Sequence, residues 1–292
     1  MAAPRLLHSV RPLVRRPLSL QQSITLSRHT RIPLSRSLFT TPAQTSLPQP
    51  KPPLYRRLLS ATTRAVLFTT LGFLIAMAPA ASALDSILHP VSDADSLTAF
   101  VPSDPESQEI ETLITSLPLA QSLRQNPDFS ESRPHMKLPP AWRAHNLTAG
   151  TLLGPGRVTV PPLAFAEAGG KSYVQIFHVG SDLCGHVGIV HGGFLATVLD
   201  EGLARCCFAA LPHGVGLTAK LEINYKAPAY ADQVLVLRAT TTKVEGRKAW
   251  VEGHIETLPK EDGAEPTVLA SASALYISPR GAEKMAKVYS VQ

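Results

Sequence analysis

Beyond residue 150 the chain has one segment able to form a long helix, Gly193 to Ala210, and it is apolar around nearly its whole circumference. A helix at a protein surface carries a polar face; one without such a face has to be covered on every side. The covering is present in the same stretch of sequence. VTVPPLAF (158–165), SYVQIFHV (172–179), LTAKLEINY (217–225), VLVLRATT (234–241), KAWVEGHIET (248–257) and TVLASASALYI (267–277) alternate or are rich in β-branched and aromatic residues, with turn residues between them. One helix beside about five or six antiparallel strands is an α+β layer arrangement, with the sheet expected to wrap around the helix.

Upstream the pattern is different. From Pro105, residues Ile110, Leu113, Ile114 and Leu117 recur at helical spacing, with Ser103 available as an amino-terminal cap and Pro118 expected to end or kink the helix. Residues 85–102 show little periodicity, and the proline-bearing stretch 126–149 reads as a surface excursion. Residues 85–149 are therefore expected to be a linker with a short helical extension, packed on a main domain at 150–280.

Charge divides the chain further. Every acid lies at Asp85 or later, whereas eleven of the 28 Lys and Arg residues precede it, which leaves 17 bases against 22 acids in the remainder. The basic balance belongs to the leader. Residues 1–60, rich in Arg, Ser, Leu and Pro, have the composition of a mitochondrial transit peptide, and Arg36 to Thr41 resembles a presequence processing site. Aromatic residues are nearly absent from it, which argues against a nucleic-acid-binding arm, and an apolar span follows directly. That span, Ala65 to Leu84, is uncharged over about 20 residues, the length at which a helix crosses ~30 Å of hydrocarbon. Arg56, Arg57 and Arg64 flank one side, so a matrix-facing amino terminus with the domain across the inner membrane is the simplest topology. Pro79 and the run Ala80 to Ala83 offer an alternative, a second cleavage site releasing the domain into the intermembrane space.

Cys184, Cys206 and Cys207 form no CxxC or zinc-spaced pair, and are expected as apolar packing residues rather than a disulfide framework or metal site. His178, His186 and His191 are likewise badly spaced for a metal. No Gly-x-Ser-x-Gly occurs, which argues against a serine hydrolase.

The string that carries chemistry is VHGGFLATVLD, residues 190–200. A loop ending in His191-Gly192-Gly193 and running into a helix exposes unpaired amides at the positive end of the helix dipole. In acyl transfer such a site stabilises the tetrahedral oxyanion. Asp200 lies within the same apolar helix, where a carboxylate is costly unless it is hydrogen-bonded or used. Glu201 has Arg205 four residues on and reads as half of a surface ion pair. Nine residues separate His191 from Asp200, ~13 Å along the axis, too far for both to act on one carbonyl. If both are catalytic, two subunits share a site, as in a two-fold dimer.

The run HGGFLATVLDEG followed by LTAKLEINYKAPAYADQ resembles the thioesterase superfamily of hotdog proteins, particularly the phenylacetate-degradation type and its mitochondrial thioesterase relatives. The resemblance covers roughly residues 150–278 and rests on the His-Gly-Gly, the Asp nine residues after the His, and a Tyr-x-x-Pro in the next strand. It implies a hotdog fold and hydrolysis of an acyl-CoA without a cofactor or metal. It also implies that the Gly192 amide polarises the thioester carbonyl beside Gly193, that His191 orients the loop, and that Asp200 of the other subunit activates water or attacks directly. Thr218 matches a hydroxyl residue that positions the nucleophile. Tyr225 and the turn Gly246-Arg247-Lys248 match positions bordering the CoA moiety. Where many relatives place an Asn before the His-Gly-Gly, this chain has Cys184-Gly185-His186, with His186 as the substitute polar contact. The expected partners are acyl-CoA, a second copy in a homodimer or dimer of dimers, and the mitochondrial inner membrane through 65–84. Two further readings stay open: a membrane-tethered, non-catalytic acyl-CoA or lipid-binding module, and a structural partner of an inner-membrane complex.

Overall fold

The computed structural model describes residues 53–88, 90–259 and 264–285; the leader up to residue 52, including the string Arg36 to Thr41, lies outside the described residues. The chain divides into two units, 1–61 and 62–292. The described part of the first is the opening of helix α1 (Leu54–Leu88), whose remainder belongs to the second. Its segment Leu54–Ala78 is long and apolar enough to cross a membrane, with Val66, Phe68, Phe73 and Ile75 exposed. The helix outruns the uncharged span at both ends and continues through Pro79, the position read as a possible cleavage region.

The rest of the second unit runs α2 (Asp93–Thr98), α3 (Pro105–Ser116), α4 (Pro118–Gln125), β1 (Phe129–Ser132), α5 (Pro140–Arg143), β2 (Leu163–Glu167), β3 (Ser172–Val179), β4 (Cys184–His186), β5 (Ile189–Val190), α6 (Gly192–Cys207), β6 (Leu217–Tyr225), β7 (Gln233–Glu245), β8 (Lys248–Thr257) and β9 (Val268–Ile277). Seven strands form one antiparallel sheet in the order β1-β2-β3-β7-β8-β9-β6, and β4 pairs with β5 in a small separate hairpin. The expected segments at 172–179, 217–225 and 248–257 are strands over those residues. At 158–165 the strand begins only at Leu163, because Pro161 and Pro162 have no N–H to give to a ladder. The long helix is α6, with Phe208–Ala210 tightened into a 3-10 turn beyond it.

Phe194, Leu195, Val198, Leu199, Leu203, Cys206 and Cys207 of α6 are buried against the inner face of the sheet, among Phe177, Leu235, Leu237, Val251, Ile255 and Tyr276. Approach is close: a Cβ on Gly202 would stand 2.6 Å from a methyl of Leu237, so a larger residue there would have to displace that side chain. Burial takes both cysteine thiols out of reach of ordinary chemistry, pushing Cys206 up to about 11 and Cys207 to about 12.

Residues 85–149 do more than link. Ile110 and Ile114 of α3 and Ala120 of α4 pack with Leu163, Phe165, Val174, Ile176, Val234 and Val236 on the sheet's outer face, a second core that leaves β3 buried on both sides. The cap of α3 is Asp104 rather than Ser103; its carboxylate accepts the Ser107 amide at 2.9 Å, and that bond holds its pKa below the usual carboxylate range. Pro118 opens α4 at its first turn as well as ending α3. The stretch read as a surface excursion contributes β1 to the sheet, followed by the 3-10 turn Pro134–Lys137. Around that turn Arg133 and His135 are buried and Lys137 half-buried, and each meets a carboxylate on a different helix: Glu111 of α3, Glu201 of α6 and Asp93 of α2. Arg133 also donates to the Pro161 carbonyl.

Candidate active site

The amino terminus of α6 is capped by its own preceding side chain. His191 Nδ1 accepts the Gly193 amide at 2.9 Å. An imidazole accepting at Nδ1 carries its proton on Nε2, so in this arrangement His191 holds the turn and is not free to take a proton through Nδ1. The cap also explains the second glycine: a Cβ on Gly193 would stand 2.8 Å from Nδ1. Since the Gly193 N–H is engaged by the cap, the Gly192 N–H is the amide at the helix start that remains for an incoming oxygen. Behind it, Gly185 of β4 lies so close to the His191 ring that a Cβ there would stand 2.8 Å from Cδ2. His186 is exposed in the same hairpin. On the other side Tyr225, at the end of β6, donates its hydroxyl to the Gly192 carbonyl at 2.8 Å.

Asp200 lies two turns further along α6 and is half-buried. Its Oδ1 accepts a hydrogen bond from Thr218 Oγ1 at 2.8 Å, at the opposite end of β6. The ladder between β6 and β9 explains how Thr218 reaches it. Thr218 pairs with Tyr276 and Lys220 with Leu275, so Ala219 is an extra residue in a β-bulge. Without the bulge Thr218 would share the outward side with Lys220 and Glu222; with it, Thr218 faces the helix as Leu221, Ile223 and Tyr225 do. Tyr276 was not recognised in the sequence. It is fully buried on β9 and donates its hydroxyl to the Asp200 carbonyl oxygen at 2.7 Å. Burial first, then the nearby Asp200 charge, raises its pKa far above that of an ordinary phenol.

Glu201 is not the surface pair partner the sequence suggested. It is largely buried and meets both Arg205 and His135, the latter at 3.3 Å. Burial alone would raise its pKa, but the Arg205 and His135 charges prevail and hold it well below the usual range. The turn Gly246-Arg247-Lys248 lies at the Thr218 end of the sheet, where Lys248 pairs with Ile277 and Ile277 with Leu217. Arg247 donates from Nη1 to the Ser278 carbonyl at 2.6 Å. Within one chain, Asp200, Thr218 and this turn are therefore gathered at one end of β6, and His191, Gly192, Gly193, Tyr225 and the His186 hairpin at the other. His178 belongs to neither group. It is buried beside Thr159, whose hydroxyl lies 2.9 Å from Nδ1, and burial lowers its pKa.

The family model of the thioesterase superfamily matches residues 187–264, from the hairpin before His191 past the end of β8. The chain belongs to the thioesterase superfamily. A UPF0644 protein of Schizosaccharomyces pombe is 36% identical over 186 residues, covering 64% of this chain and 71% of its own. A Candida albicans protein described as mitochondrial is 29% identical over 160 residues, 55% of this chain and 72% of its own. Acyl-coenzyme A thioesterase THEM4 of Mus musculus is 37% identical over 107 residues, which is 37% of this chain and 43% of that protein. The antiparallel sheet on one long helix is the hotdog fold of this superfamily.

Proposed function

We propose that this protein is an acyl-CoA thioesterase whose active site is completed by two copies of the chain. The Gly192 amide, at the positive end of α6, polarises the thioester carbonyl and holds the oxyanion as it forms. Asp200 of the other copy, oriented by Thr218, activates water or attacks the carbonyl, and the free acid and CoA leave. His191 holds the loop; Gly193, His186, Tyr225 and the turn Gly246-Arg247-Lys248 border the substrate. No cofactor is required by this chemistry.

The observation behind this reading is the placing of the two half-sites at opposite ends of one exposed edge strand. β6 is the last strand of the sheet and nearly all of it is exposed, with Tyr225 at 55% and Leu217 at 53%. An unpaired edge invites a partner strand. Antiparallel pairing of two β6 edges about a two-fold axis near the strand's middle brings Thr218 and Asp200 of one copy towards Tyr225 and Gly192 of the other. The same pairing supports a homodimer, or a dimer of dimers built from it.

Residues 1–60 act as a mitochondrial transit peptide and 65–84, inside α1, as a single-pass anchor in the inner membrane, with the domain at 150–280 carrying the chemistry. The exposed apolar surface of Leu54–Ala78 and a relative described as mitochondrial support this placement. Release into the intermembrane space by cleavage is the alternative, and amino-terminal sequencing of the mature protein separates the two.

The test is free-thiol release by the full chain in detergent from short, long and aromatic acyl-CoAs, with Asp200→Asn alongside. Turnover by the wild type and its loss by roughly 10²–10⁴-fold in the variant are expected. Tight acyl-CoA binding without thiol release in either protein would instead identify a non-catalytic binding module.

A further inference from the structure

We infer that Tyr276 is a positioning residue for the reaction, acting with Thr218 to hold residue 200 at its main chain and its side chain from two neighbouring strands; the inference rests on the hydrolase reading above. Thr218 and Tyr276 are direct cross-strand partners in the β6–β9 ladder. Their hydroxyls diverge onto the same residue of α6: Thr218 Oγ1 to Asp200 Oδ1 at 2.8 Å, Tyr276 Oη to the Asp200 carbonyl oxygen at 2.7 Å.

The two bonds have different consequences. The bond from Thr218 selects a rotamer of the carboxylate. The bond from Tyr276 falls on a carbonyl within the helix, whose second lone pair is open to a further donor, and it fixes the rotation of α6 about its own axis against β9. Packing alone leaves that rotation less well defined near here, because the inner face of β9 is built from the small side chains Ala270, Ala272 and Ala274 until Tyr276 is reached. Residue 200 sits in mid-helix. A carboxylate about 5 Å from the axis moves by about 1 Å for a rotation of about 10°, given a Cα radius of ~2.3 Å. Misplacement of that size costs on the order of 10²-fold in rate when the group must meet a bound carbonyl.

Tyr276→Phe removes one hydroxyl and keeps the ring in the core. The experiment measures kcat and KM for thiol release by the full chain in detergent, for the wild type, Tyr276→Phe, Thr218→Ala and the double variant. Ile176→Val serves as a control that weakens the outer core without touching α6. Tyr276→Phe should lower kcat by roughly ten- to a hundredfold with KM within about twofold. In the Thr218→Ala background, where the carboxylate has already been released, the same substitution should cost less than about threefold, since residues acting on one group are not additive. Ile176→Val should keep the wild-type kcat at temperatures where it remains folded. A Tyr276→Phe enzyme with wild-type kcat, or a full multiplicative loss in the double variant, overturns the positioning role and leaves the hydrolase reading standing. A wild type that releases no thiol from any acyl-CoA overturns both.

Discussion

β3 and β6 belong to one sheet and have opposite surroundings. β3 lies between α6 on one face and α3 on the other and is buried over nearly its whole length, whereas β6 is an edge strand with most of its residues exposed. Damage near β3 should therefore register as lost stability, because nothing outside the chain can compensate for it. Damage along β6 should register as lost activity, if that strand pairs with a second copy of the chain as proposed above.

The largest effect is expected at the two-copy site proposed above. Asp200→Asn and His191→Ala should each be nearly inactive, yet mixing them under conditions of subunit exchange should restore about a quarter of wild-type turnover. Half the dimers are then mixed, and each mixed dimer holds one intact site. Failure of mixing to restore activity, with exchange verified by differently tagged chains, would show that His191 and Asp200 do not serve one site across two copies.

Next comes the buried side. Arg133, only 1% exposed, pairs with Glu111 and donates to the Pro161 carbonyl. Arg133→Ala leaves the Glu111 carboxylate without its partner and should cost about 3–5 kcal/mol in chemical unfolding. The molecules that remain folded should turn over normally. A loss of kcat larger than the loss of folded protein would show that the outer core reaches the chemistry as well.

The smallest effect sharpens the boundary between the two regions. Glu201 is held below the usual carboxylate range, so its contribution to stability is complete above its ordinary pKa of 4.5 and is lost as pH falls below that value. The melting temperature of the wild type should fall more steeply than that of Glu201→Gln between about pH 5 and 3. Parallel curves would mean that the Arg205 and His135 contacts contribute nothing across the junction between α6 and the 133–137 turn.

Much of the inner layer was legible from pattern alone. A helix apolar all round and strands with alternating side chains admit few solutions, and the run from His191 to Asp200 supplies both of the half-sites proposed above. In the extension the helix from Pro105 was legible from its spacing, whereas the stretch 126–149 reads as a surface excursion because its signals are not periodic. Arg133, His135 and Lys137 look like solvent-facing charges among prolines, and only the folded chain reveals three acids from distant segments converging on them. Asp104 was passed over for Ser103 because both are good caps, one residue apart. Tyr276 was missed because an aromatic in an apolar strand looks the same whether or not its hydroxyl has a task.

Ala219 contributes no functional group of its own, yet it sets the phase of everything before it in β6. Flattening the bulge while keeping that alanine would seat Ala219 opposite Tyr276, turn Thr218 to the far side of the sheet and leave Asp200 without its hydroxyl partner. Deleting the alanine has the opposite outcome: Thr218 then follows Lys220 in unbroken alternation, still opposite Tyr276 and still facing α6. In descendants of this chain, a one-residue gap at 219 is therefore compatible with the same contact at Asp200.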